Sequence, residues 1–276
     1  MRIKADRHSP AFPRRSPASR LALLGLAAAA ALSVHAQSPS VPAEVQASSA
    51  VALQAPGDVS ALAHSRWQAS LDAFAFRDQQ QPPADDGVLF VGSSTIRLWS
   101  SLSQDFRQVP VIINRGFGGS TMRDCNSLVH ELVIQYKPRQ VMVYAGDNDL
   151  AEGRSPQEVL GSLQNFVRKV HAALPGTRIS YISIKPSPAR VGLLPQIRQA
   201  NGLIAGYVQT VAGMRYIDIF TPMLNAQGQP RSELFGADRL HLNEAGYRLW
   251  QSVIAADLTA ALEPAHPAQP VRAGQL

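Results

Sequence analysis

Five short apolar runs, each followed by a polar turn and then by helical periodicity, constrain this chain more than any other feature. The runs are GVLFVG (87–92), PVIINRG (110–116), QVMVYAG (140–146), RISYISI (178–184) and MRYIDIF (214–220). Each is nearly continuous in apolar residues, many of them β-branched or aromatic, which is the pattern of a strand buried on both faces. Segments at about 96–104, 121–135, 156–173, 193–211 and 244–262 repeat apolar residues at helical spacing. The alternation predicts a five-stranded parallel sheet with helices on both faces. Right-handed crossovers bring the C-terminal ends of all the strands to one edge, where open α/β sheets bind ligands. Polar residues placed directly after strands are therefore the first candidates for chemistry.

The flanks of this body have a different character. Residues 1–36 read as a secretory signal, with bases up to Arg20, the apolar run LALLGLAAAAALSV (21–34), and Val34-His35-Ala36 before Gln37. That run is short and alanine-rich for a membrane span, so no stable span is expected after cleavage; an uncleaved anchor is the alternative. The Arg14-Arg15 pair is followed by Pro17 and Ala18 rather than a bulky apolar pair, which argues against a twin-arginine route. A periplasmic or secreted location is the expectation. Residues 37–59 read as a flexible lead-in, 60–262 as one domain, and 263–276 as a Pro-rich disordered tail. Within the domain, Trp67, Leu71, Phe74 and Ala75 recur at helical spacing before QQQPPADDG breaks the chain.

Charge narrows the partners. The formal net charge of +6 is concentrated in the leader, which holds six bases and one acid; the remaining 240 residues hold 20 bases and 19 acids. A nearly neutral body lacks the basic excess of a nucleic-acid binder. Cys125 is the only cysteine, so no intrachain disulfide forms, and a small buried helix residue is the expected role. Nothing in the sequence sets an oligomeric state.

Four polar clusters follow the predicted strands: Gly92-Ser93-Ser94-Thr95, Asn114 to Ser120 (NRGFGGS), Gly146-Asp147-Asn148-Asp149, and, past a short excursion, Asp238-Arg239-Leu240-His241. A serine at a strand-to-helix turn is placed for nucleophilic attack once a base removes its proton, and His241 can be that base. Asp238 can hold the other imidazole nitrogen. Acyl transfer also needs donors aimed at the developing oxyanion, which a glycine-loop N–H and the amide of Asn148 can supply. Each cluster alone has a plainer reading. Gly-Ser-Ser is a common turn, Asn148 can cap a helix, and Asp238 with His241 can belong to a helix entry capped by Asn243. GDND is no calcium loop, because Ala151 and Glu152 occupy the fifth-ligand and glycine positions. NRGFGGST is no phosphate loop, because no Gly-Lys-Ser/Thr follows.

Taken in order, FVGSST, NRGFGGST, GDND and DRLH resemble the blocks of the SGNH, or GDSL-type, hydrolases of esters, over about residues 86–262. The resemblance implies a flavodoxin-like three-layer α/β/α sandwich and a Ser-His-Asp acylhydrolase that needs no metal or other cofactor. It matches the nucleophile to Ser94, the base and acid to His241 and Asp238, and the oxyanion hole to Ser94, Gly119 and Asn148, with Gly118 as the alternative glycine. Gly-Ser-Ser-Thr stands where the family has Gly-Asp-Ser-Leu, which leaves Ser93 as a rival nucleophile; alignment on Gly92 selects Ser94.

Asp218 at the end of the fifth strand is a rival acid. His130 and His171 fall inside predicted helices, and His64 and His266 lie near the lead-in and in the tail. Phe117, inside the glycine loop, is the expected substrate contact, whereas packing is expected for Trp99 and Tyr144. The loop KPSPARVGLLP (185–195) is expected to shape an acyl or alcohol pocket. Short-chain esters and acetylated sugars are the favoured substrates. A non-catalytic carbohydrate-binding module on the same fold and an acyltransferase using the same serine are the alternatives.

Overall fold

The computed structural model describes residues 56–262, with side chains described from 61 to 258. The expected leader, most of the lead-in and the tail lie outside these residues. In chain order the elements are α1 (Pro56–Gln80), β1 (Val88–Gly92), α2 (Ser94–Arg97), α3 (Leu102–Asp105), β2 (Ile112–Gly116), α4 (Met122–Ser127) and α5 (Val129–Leu132). There follow β3 (Gln140–Tyr144), α6 (Asp147–Ala151), α7 (Pro156–Ala173), β4 (Arg178–Ile182), α8 (Leu194–Val208), β5 (Met214–Ile217) and α9 (Glu244–Leu262). Among the described residues no helix is long and apolar enough to cross a membrane.

All five strands pair in parallel, in the order β2-β1-β3-β4-β5. This is the flavodoxin-like order, whose direction of winding reverses between β1 and β3. Successive strand residues point to opposite faces, and both faces are covered. Leu89, Val91, Val141, Val143, Ile179 and Tyr181 pack against α1, α4, α5, α7 and α8 in one core. Val88, Phe90, Met142, Tyr144, Ile182 and Ile217 pack against Trp99, Phe106, Trp250 and Ile254 in the other. β1 and β3 are buried at every residue, which accounts for their unbroken apolar runs.

The helices start where their caps allow. Ser155 accepts from the Glu158 N–H, the Glu158 side chain accepts from the Ser155 N–H, and Pro156 opens the first turn, so α7 begins at Pro156. Thr121 and Asp124 form the same reciprocal box at the start of α4. Asn243 caps α9 by accepting the Gly246 N–H at 3.0 Å.

Three expectations are corrected. Periodicity over 96–104 predicts one helix, but α2 and α3 are separated, because Trp99 Nε1 and Ser101 Oγ both donate to Asp105 Oδ2, at 2.6 and 2.7 Å, and hold a turn between them. The segment 121–135 is likewise broken at Leu128 and Val133, whose backbones leave helical geometry. In addition, α1 is already helical at Pro56, the first described residue, which lies inside the expected lead-in. Its inward stripe is Ala63, Trp67, Leu71 and Phe74; Ala75 is exposed.

Candidate active site

β1 ends on Gly92, where φ is +146°, and a Cβ there would meet the Tyr144 carbonyl oxygen at 1.8 Å. Only glycine lets the chain leave the sheet this tightly against β3. The Ser93 N–H then donates to the Tyr144 carbonyl at 3.1 Å, and Ser93 is buried. Ser94, the first residue of α2, is half-buried, and its Oγ stands 2.9 Å from His241 Nε2. Of the two serines, it is Ser94 that meets the imidazole.

The segment Asp238–His241 is a self-bonded turn. Asp238 Oδ1 accepts the N–H groups of Leu240 and His241, each at 3.0 Å, and Arg239 adopts the left-handed region at φ +58°. Asp238 Oδ2 lies 2.6 Å from His241 Nδ1. The Leu240 N–H, the His241 ring and the His241 N–H together hold the Asp238 carboxyl well below the usual carboxylate range. An ionised Asp238 selects the imidazole tautomer with hydrogen on Nδ1, which leaves the Nε2 lone pair facing Ser94 Oγ.

Packing brings these distant segments together. Tyr247 on α9 donates its hydroxyl to the Thr95 carbonyl at 2.9 Å, and its ring lies 5.1 Å from that of Trp99. α9 is thereby fastened to the turn that carries Ser94, and His241 precedes α9 by one cap. Asp218, the rival acid, instead accepts the Thr221 N–H at 3.0 Å. His64 pairs with Glu131 at 2.8 Å.

The glycine loop follows β2. Asn114 braces it by donating to the Ile96 carbonyl at 2.9 Å and accepting the Gly116 N–H at 2.8 Å. Gly119, exposed and at φ +83°, turns the loop back; among the described residues the N–H groups of Gly118 and Gly119 donate to no acceptor. Asn148, the second residue of α6, donates Nδ2 to the Ser120 carbonyl at 2.9 Å. It does not cap its own helix. One Nδ2 hydrogen and the loop N–H groups are thus free donors at the strand edge that carries Ser94.

Phe117 is corrected. It is 1% exposed and meets the ring of Trp67 edge-on at 4.9 Å, so it is a core residue and not a substrate contact. Its N–H bonds the Gly92 carbonyl, which turns the side chain inward beneath the loop. Cys125 is buried on α4, and burial, followed by the charges of Asp124 and Asp149, pushes its thiol up.

Sequence reasoning missed two contributors. Trp67 of α1 lies 3.8 Å from the position of a Cβ on Gly119, so the first helix walls the glycine loop. Behind Asn148 stands a buried ionic cluster. Lys185 Nζ bonds Asp147 Oδ2 at 2.7 Å and Tyr144 Oη at 3.1 Å, and Arg190 Nη1 lies 2.6 Å from Asp147 Oδ1. Burial would raise the Asp147 pKa, but Lys185 and Arg190 override it and hold the carboxyl below its ordinary value. Burial would lower Lys185, and Asp147 and Tyr144 reverse that shift upward. The available signal was two cations in a short loop after β4 and an acid beside Asn148. That loop, expected to shape a pocket, is buried from Lys185 to Pro188 and braces the site through the bond from the Ala189 N–H to the Arg239 carbonyl.

The arrangement can move a proton from the Ser94 hydroxyl to His241 and offer N–H donors to a developing oxyanion. Solved structures share the architecture. A GDSL-like lipase from Bacteroides thetaiotaomicron superposes with a TM-score of 0.61 at 20% identity, covering 70% of this chain and 98% of that one. The lipase/acylhydrolase from Enterococcus faecalis gives 0.54 at 19%, covering 66% and 99%. A catalytic mutant of an acetylxylan esterase from Geobacillus stearothermophilus gives 0.54 at 15%, covering 64% and 95%. At these identities the likeness is one of fold. No curated protein matches the chain. The model of the GDSL-like lipase/acylhydrolase family matches residues 86–249, the span that holds Ser94, the glycine loop, Asn148, Asp238 and His241, and the chain belongs to that family.

Proposed function

We propose that the protein is an exported serine esterase that cleaves carboxylic esters, with short-chain and carbohydrate acetyl esters favoured. The observation that carries this reading is the unbroken relay Ser94 Oγ–His241 Nε2 at 2.9 Å and His241 Nδ1–Asp238 Oδ2 at 2.6 Å, joining residues 147 apart in sequence. In this reading His241 takes the Ser94 proton as Oγ attacks the ester carbonyl. Asp238 holds the imidazole's orientation and stabilises the imidazolium. The N–H groups of Ser94 and Gly119 and the Asn148 amide receive the oxyanion. His241 then returns the proton to the departing alcohol, and water repeats the sequence on the acyl-enzyme. The acetylxylan esterase among the structural neighbours supports the favoured substrate class.

The test is hydrolysis of an activated acetyl ester and of acetylated glycans of graded size. Ser94→Ala is expected to lower kcat by about 10³-fold or more and to abolish covalent labelling by a fluorophosphonate. Labelling and turnover that survive in Ser94→Ala would sink the assignment. Export is tested by fractionating cells that express the full chain with a C-terminal tag; retention in the cytoplasm would refute it.

A further inference from the structure

We propose that Arg190 is a positioning residue that fixes which end of the Asn148 amide faces the site. Arg190 Nη2 donates to Asn148 Oδ1 at 2.9 Å. A guanidinium carries only donors and has no acceptor, so the amide oxygen must face Arg190 and the NH₂ group must face away from it. That NH₂ group gives one hydrogen to the Ser120 carbonyl at 2.9 Å, and its second hydrogen is left for a ligand. An amide free to rotate by half a turn would present its oxygen to an oxyanion, which is repulsive rather than stabilising.

One further contact holds the guanidinium itself, and two neighbouring bonds hold its partner and its chain segment. Asp147 Oδ1 lies 2.6 Å from Nη1, so the fork of Arg190 spans two consecutive residues of α6. Lys185 occupies the other Asp147 oxygen at 2.7 Å. Directly before Arg190, the Ala189 N–H bonds the Arg239 carbonyl at 3.0 Å, between Asp238 and His241. One short segment after β4 thus fixes both the candidate oxyanion donor and the turn of the candidate acid and base. Because Lys185 remains paired with Asp147, removal of the Arg190 fork leaves no isolated buried carboxylate, and the variants are expected to fold.

The inference rests on the proposed role of Asn148 as an oxyanion donor, and the experiment separates the two. Turnover of an activated acetyl ester is measured for Arg190→Met, Arg190→Lys, Asn148→Ala and the Arg190→Met/Asn148→Ala pair, with circular dichroism as the check on folding. Asn148→Ala is expected to lower kcat by about 10²–10³-fold. Arg190→Met is expected to lower kcat by roughly 10–100-fold with KM changed less than about threefold, and to add less than about threefold in the Asn148→Ala background. Arg190→Lys, which keeps the charge but not the fork, should recover part of the loss. In ¹⁵N-labelled protein, the Asn148 side-chain amide resonances, identified by their absence in Asn148→Ala, should shift in both Arg190 variants. An equal loss from Arg190→Met in both backgrounds would overturn the proposal, as would a rise in KM alone, which would make Arg190 a substrate contact. A misfolded Arg190→Met leaves the decision to Arg190→Lys and its amide resonances, and unshifted resonances there overturn the proposal. If Asn148→Ala leaves kcat intact, the oxyanion assignment fails first and the inference falls with it.

Discussion

Asp238 uses its two oxygens differently, and that division decides what an amide would do in its place. Oδ1 is held by two backbone N–H donors at 3.0 Å, and Oδ2 alone faces the imidazole at 2.6 Å. In Asp238→Asn the amide oxygen must stay with the two backbone donors, so the NH₂ group turns to the ring. Nδ1 then becomes an acceptor, the ring proton moves to Nε2, and Ser94 Oγ faces a donor instead of a base. Asp238→Asn is therefore expected to lower kcat by roughly 10²–10³-fold, less than the ~10⁴ of a fully buried acid, because water reaches this carboxylate and can reorganise around it. Steady-state kinetics at neutral pH check this; a variant with more than about a third of the parent rate would show that the tautomer is not set by Asp238. The same scale shows what could be read in advance. Ser94 and Asn148 could be singled out from sequence because they fall just after β1 and β3, whereas Asp238 and His241 lie well past β5 and were singled out by the resemblance of the ordered blocks to the family's. Phe117 was misplaced because an aromatic in a glycine loop reads identically whether it points out or in, and its direction is set by a bond to Gly92 that only the fold supplies.

At the scale of elements, strands were legible and the short helices were not. Strands β1 and β3 are buried on both faces, so composition alone marks them. Helices α2, α3, α4 and α5 are four to six residues long, too short for periodicity to separate from one longer helix, and side-chain bonds such as those to Asp105 decide where each stops. A similar bond joins α6 to α4. Asp149 is fully buried, and its Oδ2 accepts the Met122 N–H at 2.7 Å. Burial raises its pKa from 3.8 to about 6, against the lowering effect of the Met122 and Arg123 N–H groups. The folded state thus holds this proton more tightly than the unfolded chain. The stability it contributes is complete below about pH 4 and is lost as pH rises through about 6. A shift of this size corresponds to roughly 2–3 kcal/mol. Denaturant unfolding of the protein and of Asp149→Asn at pH 4.5 and pH 7.5 measures it. The difference between the two proteins should move in favour of the asparagine variant at the higher pH. A difference independent of pH would mean that Asp149 titrates in its ordinary range.

Across the whole molecule, α1 lies outside the span matched by the family, 86–249, yet it reaches the glycine loop through Trp67. What fastens it is Asp78, which accepts from Arg115 Nη2 at 2.5 Å and from the Tyr136 hydroxyl at 2.6 Å. Arg115 belongs to β2 and is 4% exposed, so Asp78 is the counter-charge of a buried guanidinium that also lies 4.2 Å from the Tyr136 ring centroid. This clasp joins the end of α1 to an edge strand, and no local sequence pattern announces a pairing across 37 residues. Removing one partner of a buried pair costs more than the pair contributes, because the remaining charge stays desolvated. Asp78→Ala is therefore expected to destabilise the fold by about 3 kcal/mol, whereas Glu131→Ala, which breaks the half-exposed pair with His64, should cost no more than about 1 kcal/mol. The two substitutions loosen the same helix to different degrees, and that contrast tests whether α1 supports the site. Asp78→Ala frees the C-terminal end of the helix whose Trp67 packs against Phe117 and Gly119. Turnover should fall under conditions where the variant remains folded, and the cleavage rate of α1 by added protease should rise with it. Equal turnover in the two variants, despite the difference in unfolding midpoint, would show that the glycine loop keeps its geometry without the first helix.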